Sequence, residues 1–262
     1  MKEKDDSIKK KVQEQFGKYA EKYVTSTTHS NGSDLALLPN WLKLKTESIV
    51  LDIATGGGHV VKAIAPYAAQ VFATDLTLKM LETAKRHLEQ TQTNVFYVIA
   101  DAESLPFLDN TFDAVTCRIA PHHFSHPEEF VKEAARVLKQ GGKFLLIDNV
   151  APAEQELDDF VNKLEKLRDD SHVRSYSVKE WTKWLELAGL ILLKAAPRKK
   201  TFTYPDWVRR TTTSEEQIKN VDSHVLSANE KIKGYFSIET TNGEIQSLTI
   251  DEWMVLAVKK HE

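Results

Sequence analysis

Between Ile49 and Asp148 the chain alternates apolar strands with amphipathic helices five times, and few folds accept that pattern. Ile49-Val50-Leu51-Asp52-Ile53-Ala54 has the apolar density of a strand buried on both faces. Thr55-Gly56-Gly57-Gly58 breaks it, and a helical stretch follows through Ala69. Val71 to Asp75 reads as a second strand. Thr77 stands at an N-cap position before Met80, Leu81, Ala84 and Leu88, which share one helical face. Asn94 to Ala100 and Phe112 to Arg118 read as strands three and four. Pro127 suits the first turn of a helix that turns Phe130, Val131, Ala134, Ala135 and Leu138 inward and stops at Gly141-Gly142. Lys143 to Asp148 is the fifth strand. The pattern predicts an α/β chain with a doubly wound, mostly parallel sheet and helices on both faces. Right-handed crossovers bring every strand's C-terminal end to one edge, where ligands bind.

The flanks are less regular. Phe16, Tyr19, Ala20 and Tyr23 mark a face of an N-terminal helix, followed by a polar loop from Thr25 to Ser33. Leu157, Phe160, Val161, Leu164 and Leu167 form a helical stripe. Ser177-Val178-Lys179-Glu180 and Ser214-Glu215-Glu216-Gln217 have capping-box spacing. Leu190 to Lys194 reads as a short strand, Pro205 to Gly234 as two or three short helices, and Trp253 to Val258 as a terminal strand.

Composition narrows the function. Lys and Arg number 35 against 38 Asp and Glu, and a net charge of −3 lacks the basic field of a dedicated nucleic-acid binder. The single cysteine, Cys117, excludes an internal disulfide and multi-cysteine metal chemistry, and reads as a buried strand residue. No His, Cys, Asp or Glu cluster has metal-ligand spacing, so no metal is expected. No apolar run exceeds Val95 to Ala100 in length, far short of the roughly 18 residues of a membrane span. The charged segment Met1 to Gln15 has no apolar centre of the secretory kind. The expectation is a cytoplasmic protein with a small-molecule partner, no nucleic acid and no membrane span; its oligomeric state is left open.

The glycine loop lets a ligand approach the backbone, and the next helix offers free N–H groups. A nicotinamide fingerprint needs G-x-G-x-x-G; Gly56 and Gly58 fit, but the last position is Val61. Asp52, Asp75 and Asp101 close strands one, two and three. Three carboxylates on one edge suit a cationic, nucleoside-bearing ligand better than a pyrophosphate, and Asp75 stands where a ribose diol is bound.

Asp52-x-Ala54-x-Gly56-x-Gly58 resembles the first motif of class I S-adenosylmethionine-dependent methyltransferases, D-x-G-x-G-x-G, with Ala54 at the first glycine. Asp75, Asp101-Ala102-Glu103, Phe112-Asp113, His122-His123-Phe124 and the segment from Arg136 to Gly142 resemble later motifs in order. The resemblance covers about residues 12–195 and lies nearest the ubiquinone/menaquinone-biosynthesis-like branch, a label that names a relationship and no substrate. It implies a Rossmann-like methyltransferase fold of seven strands with the last, Trp253 to Val258, antiparallel. It implies S-adenosylmethionine as cofactor and S-adenosylhomocysteine as product. Ala54, Gly56 and Gly58 would then shape the loop around the methionine part, and Asp52 would attract its amino group. Asp75 would bind the ribose hydroxyls, with Leu76 and Met80 beside the adenine. Asp101 would accept from the adenine amino group, next to the Ala102 N–H. Arg118 would line the methionine end by its backbone, and Tyr19 and Tyr23 match aromatic positions of a lid helix. Plainer roles stand beside these: a turn cap for Asp101, core for Met80, a surface ion pair for Arg118, a staple for the tyrosines.

His122 and His123 follow strand four, where an acceptor would meet the methyl group. A histidine there can take a proton, or it can shape the loop by bonding backbone. His172 and Arg174 either face the acceptor or form a solvated turn. Residues 1–262 are expected to form one methyltransferase domain, with a helical lid over 1–44, a cofactor-binding core over 45–150, and the remaining strands with helical inserts on the acceptor side over 151–262. Trp41, Phe160, Tyr204, Trp207, Tyr235 and Phe236 suggest a fairly apolar acceptor pocket. A non-catalytic cofactor-binding module and a nicotinamide-dependent oxidoreductase are the alternatives.

Overall fold

A computed structural model describes residues 2–25 and 32–260. The five expected strands form as β1 (Ile49–Ile53), β2 (Gln70–Asp75), β3 (Val95–Ile99), β4 (Phe112–Arg118) and β5 (Leu138–Asn149), all parallel. They are followed by β6 (Leu190–Thr203), a short β7 (Glu239–Thr241) and β8 (Glu244–Lys259). β8 inserts antiparallel between β5 and β6, giving the order β3-β2-β1-β4-β5-β8-β6. β6 therefore runs with the first five, and β8 is the one reversed strand of this seven-strand path. β7 pairs only with the start of β8 and adds an eighth strand to the expected seven. Strand order reverses between β1 and β4, so the loops leaving them part and open a crevice.

Alternate residues of β1 feed two cores. Leu51 and Ile53 join Val115, Cys117 and Leu146 under helices α5 (Pro127–Val137) and α7 (Val178–Leu187). Val50 joins Val71, Ala114 and Ile147 on the other face, under α2 (Leu38–Leu42), α3 (His59–Ile64) and α4 (Leu78–Leu88). The helix expected to reach Gly141-Gly142 stops at Val137. Leu138 to Gly142 open β5 instead, because Leu138 pairs with Phe112 of β4.

The larger correction concerns strand length. The strands expected over Leu190 to Lys194 and Trp253 to Val258 are the base of a ribbon pairing Leu190 with Lys259 at one end and Thr203 with Ser247 at the other. β5 stops pairing at Asn149–Glu252, so the rest of the ribbon projects past the sheet's C-terminal edge. Pro197 is tolerated because β6 is an edge strand. The overhang carries its own core, where Phe202, Leu248 and Ile250 meet Phe160 and Leu164 of α6 (Gln155–Arg168) and Trp207 of α8 (Tyr204–Val208). Helices α9 (Glu215–Leu226) and α10 (Glu230–Tyr235) complete it with Val221, Val225 and Ile232.

Local signals fare unevenly. Ser177 and Glu180 make both halves of their capping box. Ser214 accepts from the Gln217 N–H, but Gln217 turns its Oε1 to the Thr213 N–H at 2.8 Å, so that box is half made. Thr77 makes no side-chain cap. Gly58 caps α3 at φ 82°, and a Cβ there would lie 2.8 Å from Leu88 Cδ1 of α4. Gly58 serves the approach of α3 to α4. Gly58→Ala combines that overlap with a left-handed backbone and should destabilise the fold by about 1–3 kcal/mol. Urea unfolding measures this as a lower midpoint at an unchanged slope.

Candidate active site

The loops leaving β1 to β4 enclose a cleft of about 1030 Å³, counting the space open to solvent. Asp52, Ala54 and Gly56 wall it from the β1 side, and Asp75, Leu76 and Met80 from the β2 side. Asp101 and Ala102 follow β3, and Arg118 ends β4. Gly58, given a place around the ligand by the sequence, is absent from the walls and packs between helices as described above.

Asp75 is the most clearly prepared acceptor. Its Oδ2 accepts the Gly56 N–H at 3.1 Å and its Oδ1 the Thr77 N–H at 2.9 Å. A carboxylate offers about four acceptor sites, so each oxygen keeps capacity for a second donor. Burial pushes its pKa up to about 6 against those two donors. Asp52 is engaged differently. The hydroxyls of Thr55 and Thr116 donate to its two oxygens, the latter at 2.7 Å, and the Thr74 hydroxyl donates to its carbonyl at 3.0 Å. Burial raises its pKa to about 6, with both carboxylate-bound hydroxyls opposing. Asp52 thus braces β1, β2, β4 and the glycine loop while it forms the cleft floor. Ala54 holds φ 53°, a left-handed conformation that disfavours any side chain by roughly 1–2 kcal/mol.

Asp101 uses Oδ1 to accept the Glu103 N–H at 2.9 Å and Oδ2 to bind the Lys9 ammonium at 2.6 Å. It caps its turn and also faces the cleft. Lys9 reaches Glu103 as well, at 2.7 Å. Burial alone would lower the Lys9 pKa, but its hydrogen bonds to the two carboxylates outweigh this and raise it. Lys9 belongs to α1 (Lys2–Thr25), which lies across the cleft; Gln13 donates to the Leu76 carbonyl at 3.0 Å. Tyr19 is half-buried on α1 but forms none of the cleft wall. The side chain of Tyr23 and residues 26–31 lie outside the described residues. Arg118 makes a bidentate ion pair with Asp34, both side chains buried, in place of a surface pair. Burial opposes the ionised Asp34, yet Arg118 holds it below the usual carboxylate range.

A second cavity adjoins the first and shares Phe16, Ile119 and His123 with it. Ile119 holds φ 52°, an outlier for a β-branched residue of the kind found where a site demands strain. The turn Pro121–His123 follows. Asp148, near the end of β5, accepts the His122 N–H at 3.0 Å and meets His122 Nδ1 at 2.6 Å. Burial would lower the His122 pKa, but the Asp148 carboxylate outweighs it and raises it above 6.5. His123 is driven down to about 3 by burial and then by the His122 charge, and is neutral. Its Nδ1 lies 3.0 Å from the Ser171 carbonyl, and Phe16 meets its ring edge-on at 5.0 Å. His122 forms a wall of the second cavity only, whereas His123 belongs to both.

His172 and Arg174 are no solvated turn. His172 is 1% exposed, Arg174 binds Asp158 at 2.6 Å, and the N–H groups of residues 173 and 174 donate to the His122 carbonyl. Of the six aromatics expected around an acceptor, only Trp207 walls the second cavity. Trp41 packs beneath the sheet, while Phe160, Tyr204, Tyr235 and Phe236 belong to the overhang core or its margin. The remaining wall joins the apolar Phe16, Ile119 and Phe202 to the polar Asn149, Arg168, Asp169, Lys200 and Arg210. Asp148 and Asn149 close a strand at the ligand edge, so the rule that found Asp75 also reaches them. Lys200 sits in the run Arg198-Lys199-Lys200, whose pattern is that of a solvated edge. Among the described residues no His, Cys, Asp and Glu group is arranged to hold a metal ion, and no helix is long and apolar enough to cross a membrane.

The family model for a methyltransferase domain matches residues 51–146. An uncharacterised methyltransferase of Bacillus subtilis, YcgJ, is 36% identical over 247 residues, 94% of this chain and 98% of that one. A crystal structure from Bacillus halodurans, described as a candidate methyltransferase, aligns with a TM-score of 0.85 and 42% identity over 88% of this chain and 100% of the other. A ubiquinone biosynthesis O-methyltransferase of Coxiella burnetii is 32% identical over 154 residues, 55% of this chain and 64% of that protein.

The Asp148–His122 contact has a direct readout. Asp148→Asn removes the charge that holds the imidazole up, so its NMR titration midpoint should fall by roughly one pH unit or more. An unmoved midpoint would show that Asp148 does not set the protonation of His122.

Proposed function

The chain belongs to the methyltransferase family, and from that premise we propose that it transfers the methyl group of S-adenosylmethionine to a small-molecule acceptor. The observation that carries this reading is the meeting of the two cavities at Phe16, Ile119 and His123. One cavity suits a nucleoside, the next a second molecule, and those three residues line both. The relative named for O-methylation in ubiquinone biosynthesis supports a small-molecule acceptor.

The residues fit the cofactor. The spare acceptor capacity on each oxygen of Asp75 matches the two hydroxyls of a ribose, and Leu76 and Met80 offer an apolar face for the adenine. Asp101 and the Ala102 N–H suit the adenine edge, once Lys9 yields or shares its carboxylate. Ala54, Gly56, Asp52 and Arg118 surround the methionine end. Bound there, the cofactor supplies a methyl group on a cationic sulfur whose leaving group departs neutral, so positioning does most of the work. Residues 1–44 act as a lid in this reading, 45–150 hold the cofactor, and 151–262 complete the acceptor side.

His122 is the residue placed to remove a proton from an acceptor O–H or N–H. Asp148 holds Nδ1, which leaves Nε2 to act. His123, neutral and bonded to Ser171, positions the wall between the cavities. Because the His122 pKa is raised, its basic form accumulates only above pH 6.5, and transfer that needs this base should quicken as pH rises.

Calorimetric titration with S-adenosylhomocysteine tests the cofactor assignment. Asp75→Ala should weaken binding at least about tenfold, since a hydrogen bond to a charged acceptor contributes roughly 1.5–3 kcal/mol. In the unaltered protein affinity should rise with pH through about 6, as Asp75 ionises. An Asp75→Ala protein that binds within about twofold of the parent removes the ribose assignment.

A further inference from the structure

We propose that the second cavity selects acceptors bearing an anionic group, a carboxylate or a phosphate, which Lys200 and Arg210 hold while the acceptor's O–H or N–H faces Asn149 and His122. The proposal rests on the methyl-transfer reading and names the substrate class that the reading leaves open.

Its origin is the ribbon overhang. Residues 198, 200 and 202 alternate onto one face of β6, beyond the point where β5 stops pairing. Arg198 on that face is satisfied, donating to Glu252 Oε1 at 2.8 Å and to the Ser33 hydroxyl at 2.6 Å. Lys200 is not. Its side chain is only 19% exposed, its nearest carboxylate oxygen is Glu252 Oε2 at 3.7 Å, and its ammonium makes no hydrogen bond among the described residues. An ammonium has three donors, and burying them unused is costly. Burial lowers the Lys200 pKa, Glu252 opposes this, and the positive charges of Arg118 and Arg210 add to the lowering. Arg118 is matched by Asp34. Arg210 forms the cavity wall beside Lys200.

Arg168 and Asp169 of this wall are engaged with neighbouring side chains. Arg168 binds Glu165 at 2.6 Å and the Thr211 hydroxyl at 2.7 Å, and lies 4.2 Å from the Trp207 ring. Asp169, the one acid of the wall, accepts from both the N–H and the hydroxyl of Ser171. The cavity wall carries three cations against one anion, and an entering anion would give the Lys200 ammonium hydrogen-bond acceptors that its 3.7 Å ion pair with Glu252 does not supply. Phe202 and Trp207, with ring centroids 5.6 Å apart, supply apolar wall for the organic part.

A second observation fixes the opposite end. Asn149 Oδ1 is buried in the same cavity with no hydrogen-bond partner among the described residues. An orphaned acceptor asks for a donor, and the neighbouring residue Asp148 holds the His122 base. An amine there would donate one N–H to Asn149 and lose another proton to His122 Nε2, whereas a hydroxyl would turn its one proton from Asn149 to Nε2 as it reacts. Its lone pair would form the bond to the methyl carbon as the carbon–sulfur pair returns to sulfur. The acceptor so described is a small organic acid or phosphate ester with a nucleophilic hydroxyl or amine.

The test uses the full chain saturated with S-adenosylhomocysteine and three probes: benzoate, inorganic phosphate, and uncharged benzamide. The Trp207 indole N–H, assigned by Trp207→Phe, reports binding by NMR. Benzoate or phosphate should shift it saturably, with benzamide at least about tenfold weaker, the worth of one hydrogen bond to a charged group. Benzoate alone points to a carboxylic acid, phosphate alone to a phosphate ester, and both support the proposal. Lys200→Met and Arg210→Gln should each weaken the anion at least about tenfold while affinity for S-adenosylhomocysteine holds. Benzamide equal to benzoate, no response to either anion, or anion binding intact in both variants overturns the proposal. Failure of S-adenosylhomocysteine to bind would instead sink the methyl-transfer reading, and the anion titrations would still decide the pocket.

Discussion

The buried carboxylate of Asp52 is the interaction on which the ligand edge depends. It receives hydroxyls from the glycine loop and from β4, while its own carbonyl receives one from β2. Three strands and the loop are thereby tied at the switch point where strand order reverses. Removing one hydroxyl would leave a buried carboxylate short of a partner, a loss that falls on the charged form. The loop so fixed holds Ala54 in a left-handed conformation and aims the Gly56 N–H at Asp75. The cleft follows from that chain of contacts.

The two cavities differ in sign. Carboxylates at Asp52, Asp75 and Asp101 line the first, and Lys200, Arg210 and Arg168 stand in the second. A donor carrying a sulfonium and an acceptor carrying an anion would each be drawn to the side that suits it. Between them the strained Ile119 and His122 occupy the short turn after β4, with Asp148 of β5 holding His122. The sheet edge thus supplies much of both cavities and the group proposed to move a proton, while Phe16 of α1, Arg168 of α6 and Trp207 of α8 complete the walls.

The parallel core was legible because its strands are apolar runs: β1 and β4 are buried on both faces, and even the partly exposed edge strand β3 keeps five apolar residues in a row. Asp75 and Asp101 could be placed from strand ends alone, since topology carries every strand end to one edge, whereas Leu76 and Met80 came from the family resemblance. The overhang was not legible. Residues 198–203 and 247–252 pair with each other beyond the sheet, so they bury only one face, follow directly on Pro197 and carry a run of charge among their apolar positions. Read locally they resemble loop. Gly58 was misassigned for a related reason: a spacing motif shows that a glycine is needed but not whether ligand or helix α4 fills the space. The acceptor pocket was expected to be apolar from its aromatics, yet most of those build the core beneath the overhang, and the charged face of the ribbon forms the wall.

The central claim is that the donor lies in the carboxylate-lined cleft with its sulfur turned toward the second cavity. A crystal structure with S-adenosylhomocysteine tests it most directly. The account predicts both ribose hydroxyls on the oxygens of Asp75 and the sulfur facing the gap bounded by Phe16, Ile119 and His123. Ribose hydroxyls away from Asp75, or a sulfur directed away from that gap, would contradict it.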